Sequence, residues 1–350
     1  MSEKSGLLLY GANGYTGKLI LEVALREGLK PVLAGRRAEL VEPIAKAHGL
    51  KSLCFGLEDP ATVARLLEPF SALLLAAGPF SKTSAPALEG CLGAKTAYLD
   101  ITGEVSVFEA AFARDADAKA AGIAVLPGTG FDVVPSDCLA RALSEALPGA
   151  ETLTLAFRGF KPSAGTMKTM VESAHKGGLV RAGGKLVKVP SAWKTMEAPL
   201  PAPRLAMTIP WGDLATAWRS TGIPDIEVYM AVPPSAVANA RRMRALAPVL
   251  GLRFVQSFLM KRIERNVRGP SAEDRGRERS YLWGRVTKGG ATVTGTLETL
   301  EGYALTAETS IAIAKRVLAG EVPAGVHTPS QAFGARFIET IPGSKLVVPA

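Results

Sequence analysis

The apolar positions in the first third of the chain fall into two alternating kinds of segment. Short runs at 7–10 and 72–77 (ALLLAA) are apolar throughout, as a strand buried on both faces requires. Between such runs, 16–27, 38–47, 61–67, 84–92 and 107–121 carry apolar residues at helical spacing, and the first ends at Gly28, a C-terminal cap. Further strands are predicted at 31–34, 52–55, 96–99 and 123–126. Strands alternating with helices of this length predict βαβ units, so the expected fold class is α/β, a doubly wound parallel sheet of the Rossmann type.

After about residue 150 the pattern changes. Polar and apolar residues alternate over 152–157, and similarly over 226–232, 279–286 and 291–300. This is the sign of antiparallel strands with one wet face. A second, inserted α+β domain with a mixed or antiparallel sheet is therefore expected over 139–302. The first domain is expected to comprise 1–138 and 303–350, returning through a long helix at 305–318. The stretch 199–203 reads as a proline-rich loop.

Composition narrows the class. With 47% apolar and 21% charged residues among 350, the chain can build full cores, and a disordered chain is excluded. The three cysteines, Cys54, Cys91 and Cys138, are scattered and form no C-x-x-C pair. Neither a disulfide framework nor a metal site is expected, and the compartment reads as reducing and cytoplasmic. The first residues, MSEKS, lack the apolar core of a signal peptide, and no uncharged apolar run reaches 18 residues.

The net charge of +9 is concentrated. Residues 241–288 hold thirteen Lys/Arg against four Asp/Glu, and the rest of the chain is balanced. A local patch of this kind argues against a nucleic-acid partner. Within it, 245–260 (ALAPVLGLRFVQSFLM) is apolar but broken by Pro248, Gly251 and Arg253. Arg241, Arg242 and Arg244 precede it; Lys261, Arg262, Arg265 and Arg268 follow. Segment 241–268 reads as a homodimer interface, as a peripheral contact with an anionic membrane, or as a basic rim around an anionic substrate such as a carrier-bound acyl group.

The chemistry gathers at the strand ends. Gly11, Ala12, Asn13, Gly14, Tyr15, Thr16 and Gly17 lie between the first strand and the first helix. Glycines there permit positive φ, including at Gly14, and let a pyrophosphate approach the backbone at a helix N-terminus. The spacing is G-x-x-G-x-x-G, and the strand-before, helix-after context makes it a dinucleotide loop. The second strand ends in Ala34, Gly35, Arg36 and Arg37, with no acid to take a ribose 2′-hydroxyl. Arg36 is assigned to a 2′-phosphate and Arg37 to the adenine, which predicts NADP(H). Ala77, Gly78, Pro79 and Phe80 end the fourth strand, and Thr102 and Gly103 follow the fifth; both leave room for ribose and nicotinamide.

Hydride transfer needs one proton donor beside the cofactor. Tyr98, Asp100, Glu104, Asp132 and Asp137 stand near strand ends; Lys168, Glu172 and His175 share one face of a predicted helix. The chosen candidates are Asp132 at the cofactor edge, Lys168 as a donor to substrate, and Tyr98.

Several segments together resemble the saccharopine dehydrogenase-like oxidoreductases, in particular their trans-acting enoyl reductase branch. They are GANGYTG at 11–17, AGRR at 34–37, AAGPF at 76–80, YLDITGE at 98–104, PGTGFDVVPSD at 127–137, AGTMKTMVE at 164–172, EGYALTAETS at 301–310 and VHTPSQAFG at 326–334. The resemblance implies a Rossmann domain with an inserted α+β domain, NADP(H), and hydride transfer to C=C or C=N. The expected activity is reduction of a C=C bond in a small-molecule or carrier-bound enoyl substrate. The alternatives are a saccharopine-type imine reductase or amino-acid dehydrogenase, and a nucleotide-binding or membrane-associated scaffold without turnover.

Overall fold

The computed structural model describes residues 4–158, 161–202 and 204–349. Pro203, the end of the predicted proline-rich loop, and the first three residues lie outside them. The chain divides into two compact units, Met1–Val134 with Tyr303–Phe333, and Pro135–Gly302 with Gly334–Ala350.

In the first unit the strands are β1 (Leu7–Tyr10), β2 (Val32–Gly35), β3 (Ser52–Cys54), β4 (Ala72–Leu75), β5 (Ala97–Asp100) and β6 (Ala124–Leu126). With the short strand Gly325–Val326 they form, among the described residues, a seven-stranded sheet in the order Gly325–Val326, β6, β5, β4, β1, β2, β3. Every pairing is parallel. Strands β1 and β4 are buried at every position, as their unbroken apolar runs require. Leu8, Leu73 and Val125 pack with the helix residues Val63, Leu67 and Ala87 in one cluster. Each fully buried Leu or Val among them contributes about 1.5–3 kcal/mol. The strand order reverses beside β1, the place where open α/β sheets leave a crevice beyond the strands' carboxyl ends.

The helices of this unit are α1 (Tyr15–Arg26), α2 (Ala38–Ala47), α3 (Pro60–Leu67), α4 (Phe80–Ala94), α5 (Val105–Phe112) and α6 (Asp115–Ala121). The single helix predicted over 107–121 is thus two. Asp115 and Asp117 give the second a fresh acidic N-terminus, which the helix dipole favours. The carboxylate of Asp115 also accepts from the Val326 amide at 2.8 Å.

The second unit carries a mixed sheet. Its strands are β7 (Thr152–Arg158), β8 (Gly178–Ala182), β9 (Lys185–Val189), β10 (Thr195–Glu197), β11 (Leu205–Thr208), β12 (Asp225–Ala231), β13 (Arg279–Lys288) and β14 (Ala291–Leu300). The order runs β10, β11, β12, β7, β13, β14, then Lys345–Val347, with the β8–β9 hairpin joined to β12. Gly289 and Gly290, both at positive φ, make the two-residue turn between β13 and β14. Strand β7 corrects the sequence reading, since it pairs parallel with β12 and antiparallel with β13. Alternation reports a wet face and is blind to strand direction.

Three further expectations shift. The segment 334–350 belongs to the second unit because Lys345–Val347 adds to the edge of β14. His175 leaves the predicted helix: Ala164–Ser173 is α-helical, and His175 sits in the 3₁₀ turn Ala174–Lys176. The basic segment is broken into Pro234–Arg242, Met243–Leu246, Ala247–Leu250 and Arg253–Asn266, with Leu252 as an extended N-cap. Among the described residues no helix is long and apolar enough to cross a membrane.

Candidate functional site

The glycines of the first loop have different jobs. Gly11 has φ +93°, and a Cβ there would stand 2.9 Å from the Ala76 backbone. A Cβ on Gly17 would stand 2.2 Å from the Gly11 carbonyl oxygen. Both positions therefore exclude a side chain on contact alone. Gly14 differs from the sequence reading: its φ is −73°, an ordinary extended value. A Cβ there would meet nothing nearer than the Gly11 oxygen at 3.3 Å. Its bareness leaves open the N-terminus of α1, where Gly14 is the N-cap and no side chain caps the first turn. An open helix N-terminus bordered by close-packed glycine backbone is a cradle for an anion such as a pyrophosphate.

The loop is tied to its neighbours. The Gly11 amide donates to Ala34 O at 2.8 Å, and the Gly14 amide to Gly11 O at 3.0 Å. Asn13 Oδ1 lies close to Gly35, at the end of β2. Half-buried Thr16 stands in the first turn of α1, and the Tyr15 ring meets Tyr303 edge-on at 5.0 Å.

Arg36 and Arg37 follow β2 and are exposed. Neither makes an ion pair among the described residues, although Arg37 is the N-cap of α2. An unpaired cation at a helix N-terminus is unfavourable until an anion joins it. Arg36 also acts on the Tyr10 phenol below the sheet end: burial pushes Tyr10 up to about 12, and the Arg36 charge opposes that rise.

Beyond β4, the segment Ala77, Gly78, Pro79 and Phe80 leads directly into α4. Its amides at Phe80 and Ser81 donate to the Glu104 carboxylate at 2.9 and 3.2 Å. Glu104, one of the sequence candidates, is thus a helix cap placed by a remote loop. Its own amide donates to Thr102 Oγ1 at 3.1 Å, so 77–80 and 102–104 form one wall.

Two carboxylates stand near the ends of β5 and β6. Asp100 is fully buried and takes three hydrogen bonds: Tyr98 Oη at 2.6 Å, Thr102 N at 3.0 Å and Gly128 N at 2.8 Å. Burial raises its pKa to about 6, and the three donors oppose the rise. Tyr98, proposed from sequence as a proton donor, is itself buried with its hydroxyl committed to Asp100, and burial holds its pKa well above the phenol value. That pair is a strut between β5 and the loop after β6.

Asp132 is half-buried, and its carboxylate has no hydrogen-bond partner among the described residues. Desolvation raises its pKa to about 7. Gly103 gives it room, since a Cβ there would stand 2.5 Å from Asp132 Oδ2. The loop holding Asp132 is clamped by the helix Gly302–Leu318. Thr306 Oγ1 accepts from Phe131 N at 3.0 Å, Thr309 Oγ1 donates to Thr129 O at 2.7 Å, and Ser310 Oγ lies 3.1 Å from Thr129 Oγ1. These three residues and Tyr303 were missed from sequence. Their i, i+3, i+4 spacing in EGYALTAETS was the available signal.

The remaining candidates belong to the second unit. Lys168, on the helix Ala164–Ser173, pairs with Glu264 at 3.2 Å. Glu172 lies on the same helix, and His175 Nδ1 lies 3.3 Å from Gln256 Nε2. Asp137 is buried in the first turn of Val134–Ala146. A cavity of roughly 410 Å³ is lined by Arg158, Arg277 and Arg279, but also by Asp274, Glu278 and Glu301, so its charges are balanced. Among the described residues no group of three His, Cys, Asp or Glu side chains is placed to hold a metal ion.

No protein-family model matches the chain. A Mycobacterium tuberculosis protein named as a trans-acting enoyl reductase is 31% identical over 186 residues, 47% of this chain and 43% of that protein. The trans-acting enoyl reductase of Mycobacterium leprae is 31% identical over 144 residues, 37% of this chain and 33% of that protein. The chain therefore aligns with less than half the length of these curated relatives. Among solved structures, saccharopine dehydrogenase (L-Glu forming) of Saccharomyces cerevisiae matches with a TM-score of 0.64 at 12% identity, over 98% of this chain and 99% of that one. Homospermidine synthase of Legionella pneumophila, in complex with NAD, matches with a TM-score of 0.62 at 10% identity, over 99% and 92%. The chain has the fold of saccharopine dehydrogenase and, over less than half of its length, is similar in sequence to the trans-acting enoyl reductases.

Proposed function

We propose that this protein is an NADP(H)-dependent oxidoreductase that reduces the C=C bond of an enoyl substrate. Its support is Arg36, exposed and unpaired beyond β2 where no acid stands. A guanidinium there can take a 2′-phosphate through paired charged hydrogen bonds, whereas an acid would repel it. The α1 N-terminus and the Gly11–Gly17 backbone would hold the pyrophosphate, and the wall formed by Ala77, Gly78, Pro79, Phe80, Thr102 and Gly103 would flank the nicotinamide. The enoyl substrate class rests on the names of the sequence relatives, which share about half of this chain.

A nicotinamide held there would supply the hydride that a C=C bond takes up at its β-carbon. Asp132 supplies the proton that the α-carbon takes up, so one hydride and one proton saturate the bond and the aspartate is left ionised. A carboxyl with a pKa of about 7 is partly protonated at neutral pH and gives up its proton readily. Its lack of a hydrogen-bond partner among the described residues leaves it available. Tyr98, Asp100 and Glu104 hold the surrounding loops through their hydrogen bonds. Lys168, with its ammonium already engaged by Glu264, has no part in this scheme.

Titrating NADPH and NADH against the wild type and Arg36→Ala, with turnover of enoyl thioesters followed by NADPH oxidation, tests the proposal. The variant should lose about 1.5–3 kcal/mol of NADPH affinity, roughly tenfold or more, and keep its NADH affinity. Equal wild-type affinity for both cofactors would refute the 2′-phosphate role. No NADPH oxidation with any enoyl thioester would refute the substrate class.

A further inference from the structure

The helix Arg253–Asn266 presents an unusual outer face. Phe254 and Phe258 are 73% and 63% exposed, and Leu252, its N-cap, and Val249, just before it, are exposed too. At about 100° per residue, Phe254, Phe258, Lys261 and Arg265 fall in one stripe roughly 60° wide. Buried Ile263 lies on the opposite side, and Gln256, also turned away from the stripe, meets His175. The inward face is therefore already packed, and the outward face carries two aromatic rings followed by two cations. Neither Lys261 nor Arg265 makes an ion pair among the described residues. Glu264 is the one acid in 241–268, and it turns to Lys168.

We propose that this stripe is a docking surface for an anionic lipid bilayer. Large apolar tips on a convex helix gain by entering the headgroup layer, which needs no complementary groove. Lys261 and Arg265 lie one and two turns beyond Phe258, where they would meet lipid phosphates while the rings sit deeper. Residues 241–268 hold eight cations against Glu264, a surplus complementary to an anionic surface. The helix is 14 residues long and carries cations on its outer face, so it lies on the membrane and does not cross it. The surface belongs wholly to the second unit, so this proposal stands apart from the cofactor assignment.

Vesicle co-sedimentation tests it with the full chain. The probes are phosphatidylcholine vesicles and vesicles of phosphatidylcholine and phosphatidylglycerol in equal parts, each at low and at physiological salt. The wild type should bind the anionic vesicles, bind the neutral ones far less, and lose binding as salt shortens the screening length to about 8 Å. Lys261→Gln with Arg265→Gln should weaken partitioning roughly 25-fold, about fivefold per cation. Phe254→Ser with Phe258→Ser should weaken it by roughly tenfold or more per ring. All four side chains are exposed, so unchanged circular dichroism is expected for both variants. Failure of the wild type to bind anionic vesicles would overturn the proposal, as would a variant that binds normally. A vesicle-free dimer dispersed by Phe254→Asp would also overturn it, because a second copy would then cover the stripe.

Discussion

Asp100 and Asp132 stand near the ends of neighbouring strands, and water is withdrawn from both. Desolvation raises both carboxyls toward neutrality, to about 6 and about 7. What separates them is hydrogen bonding. Asp100 satisfies Tyr98, Thr102 and Gly128, so its charge is spent on holding two loops together. Asp132 lies against the space left by Gly103 and receives no such donor among the described residues. A perturbed pKa alone marks neither as a reacting group; the perturbed group that the fold does not use is the one free to act.

The largest expected effect follows from that contrast. Asp132→Asn should lower kcat for enoyl reduction roughly 100- to 10,000-fold, the range for losing a general acid, while NADPH affinity stays unchanged. An unchanged kcat would break the comparison. The mirror experiment is Asp100→Asn, measured by urea unfolding. An amide cannot accept from all three donors, so one is left unsatisfied in the interior, at a cost of about 1–3 kcal/mol. If Asp100→Asn were neutral to stability, the strut between β5 and the following loop would be misassigned.

A smaller effect sharpens the same contrast through pH. Both carboxyls hold their protons more tightly in the folded chain than in the unfolded one. Between about pH 4 and about pH 7 the folded state therefore binds more protons, and stability falls as pH rises through that window. Asp132→Asn should lessen this decline between about pH 4 and about pH 6, remove it above about pH 6, and make the protein more stable than wild type near pH 8. Urea midpoints for both proteins across this range give the answer; identical curves would show that Asp132 is not desolvated.

The sequence made part of this legible. Strands β1 and β4 were readable because burial on both faces leaves no polar position, and the loop after β1 was readable because its glycines sit between strand and helix. The conformation of Gly14 was not readable, since glycine written in the chain says nothing of whether it serves φ, contact or open space. Glu104 looked like an acid near a strand end, and only the fold brings it onto the amides of Phe80 and Ser81. The same holds for Thr306, Thr309 and Ser310, which reach the Thr129 loop from some 180 residues away. Strand direction at β7 and the return of Lys345–Val347 to β14 depend on long-range pairing, which local patterning does not encode.

The pH dependence of a single turnover bears most directly on the role of Asp132. Enzyme preloaded with NADPH is mixed with an enoyl thioester, and the rate of NADPH oxidation is followed from about pH 5 to about pH 9. A carboxyl that must be protonated to act gives a rate that is level at low pH and falls about tenfold per unit above its pKa, here about 7. In Asp132→Asn the residual rate should be low and should lack this break. A variant that keeps both the wild-type rate and the break near pH 7 would show that another group delivers the proton.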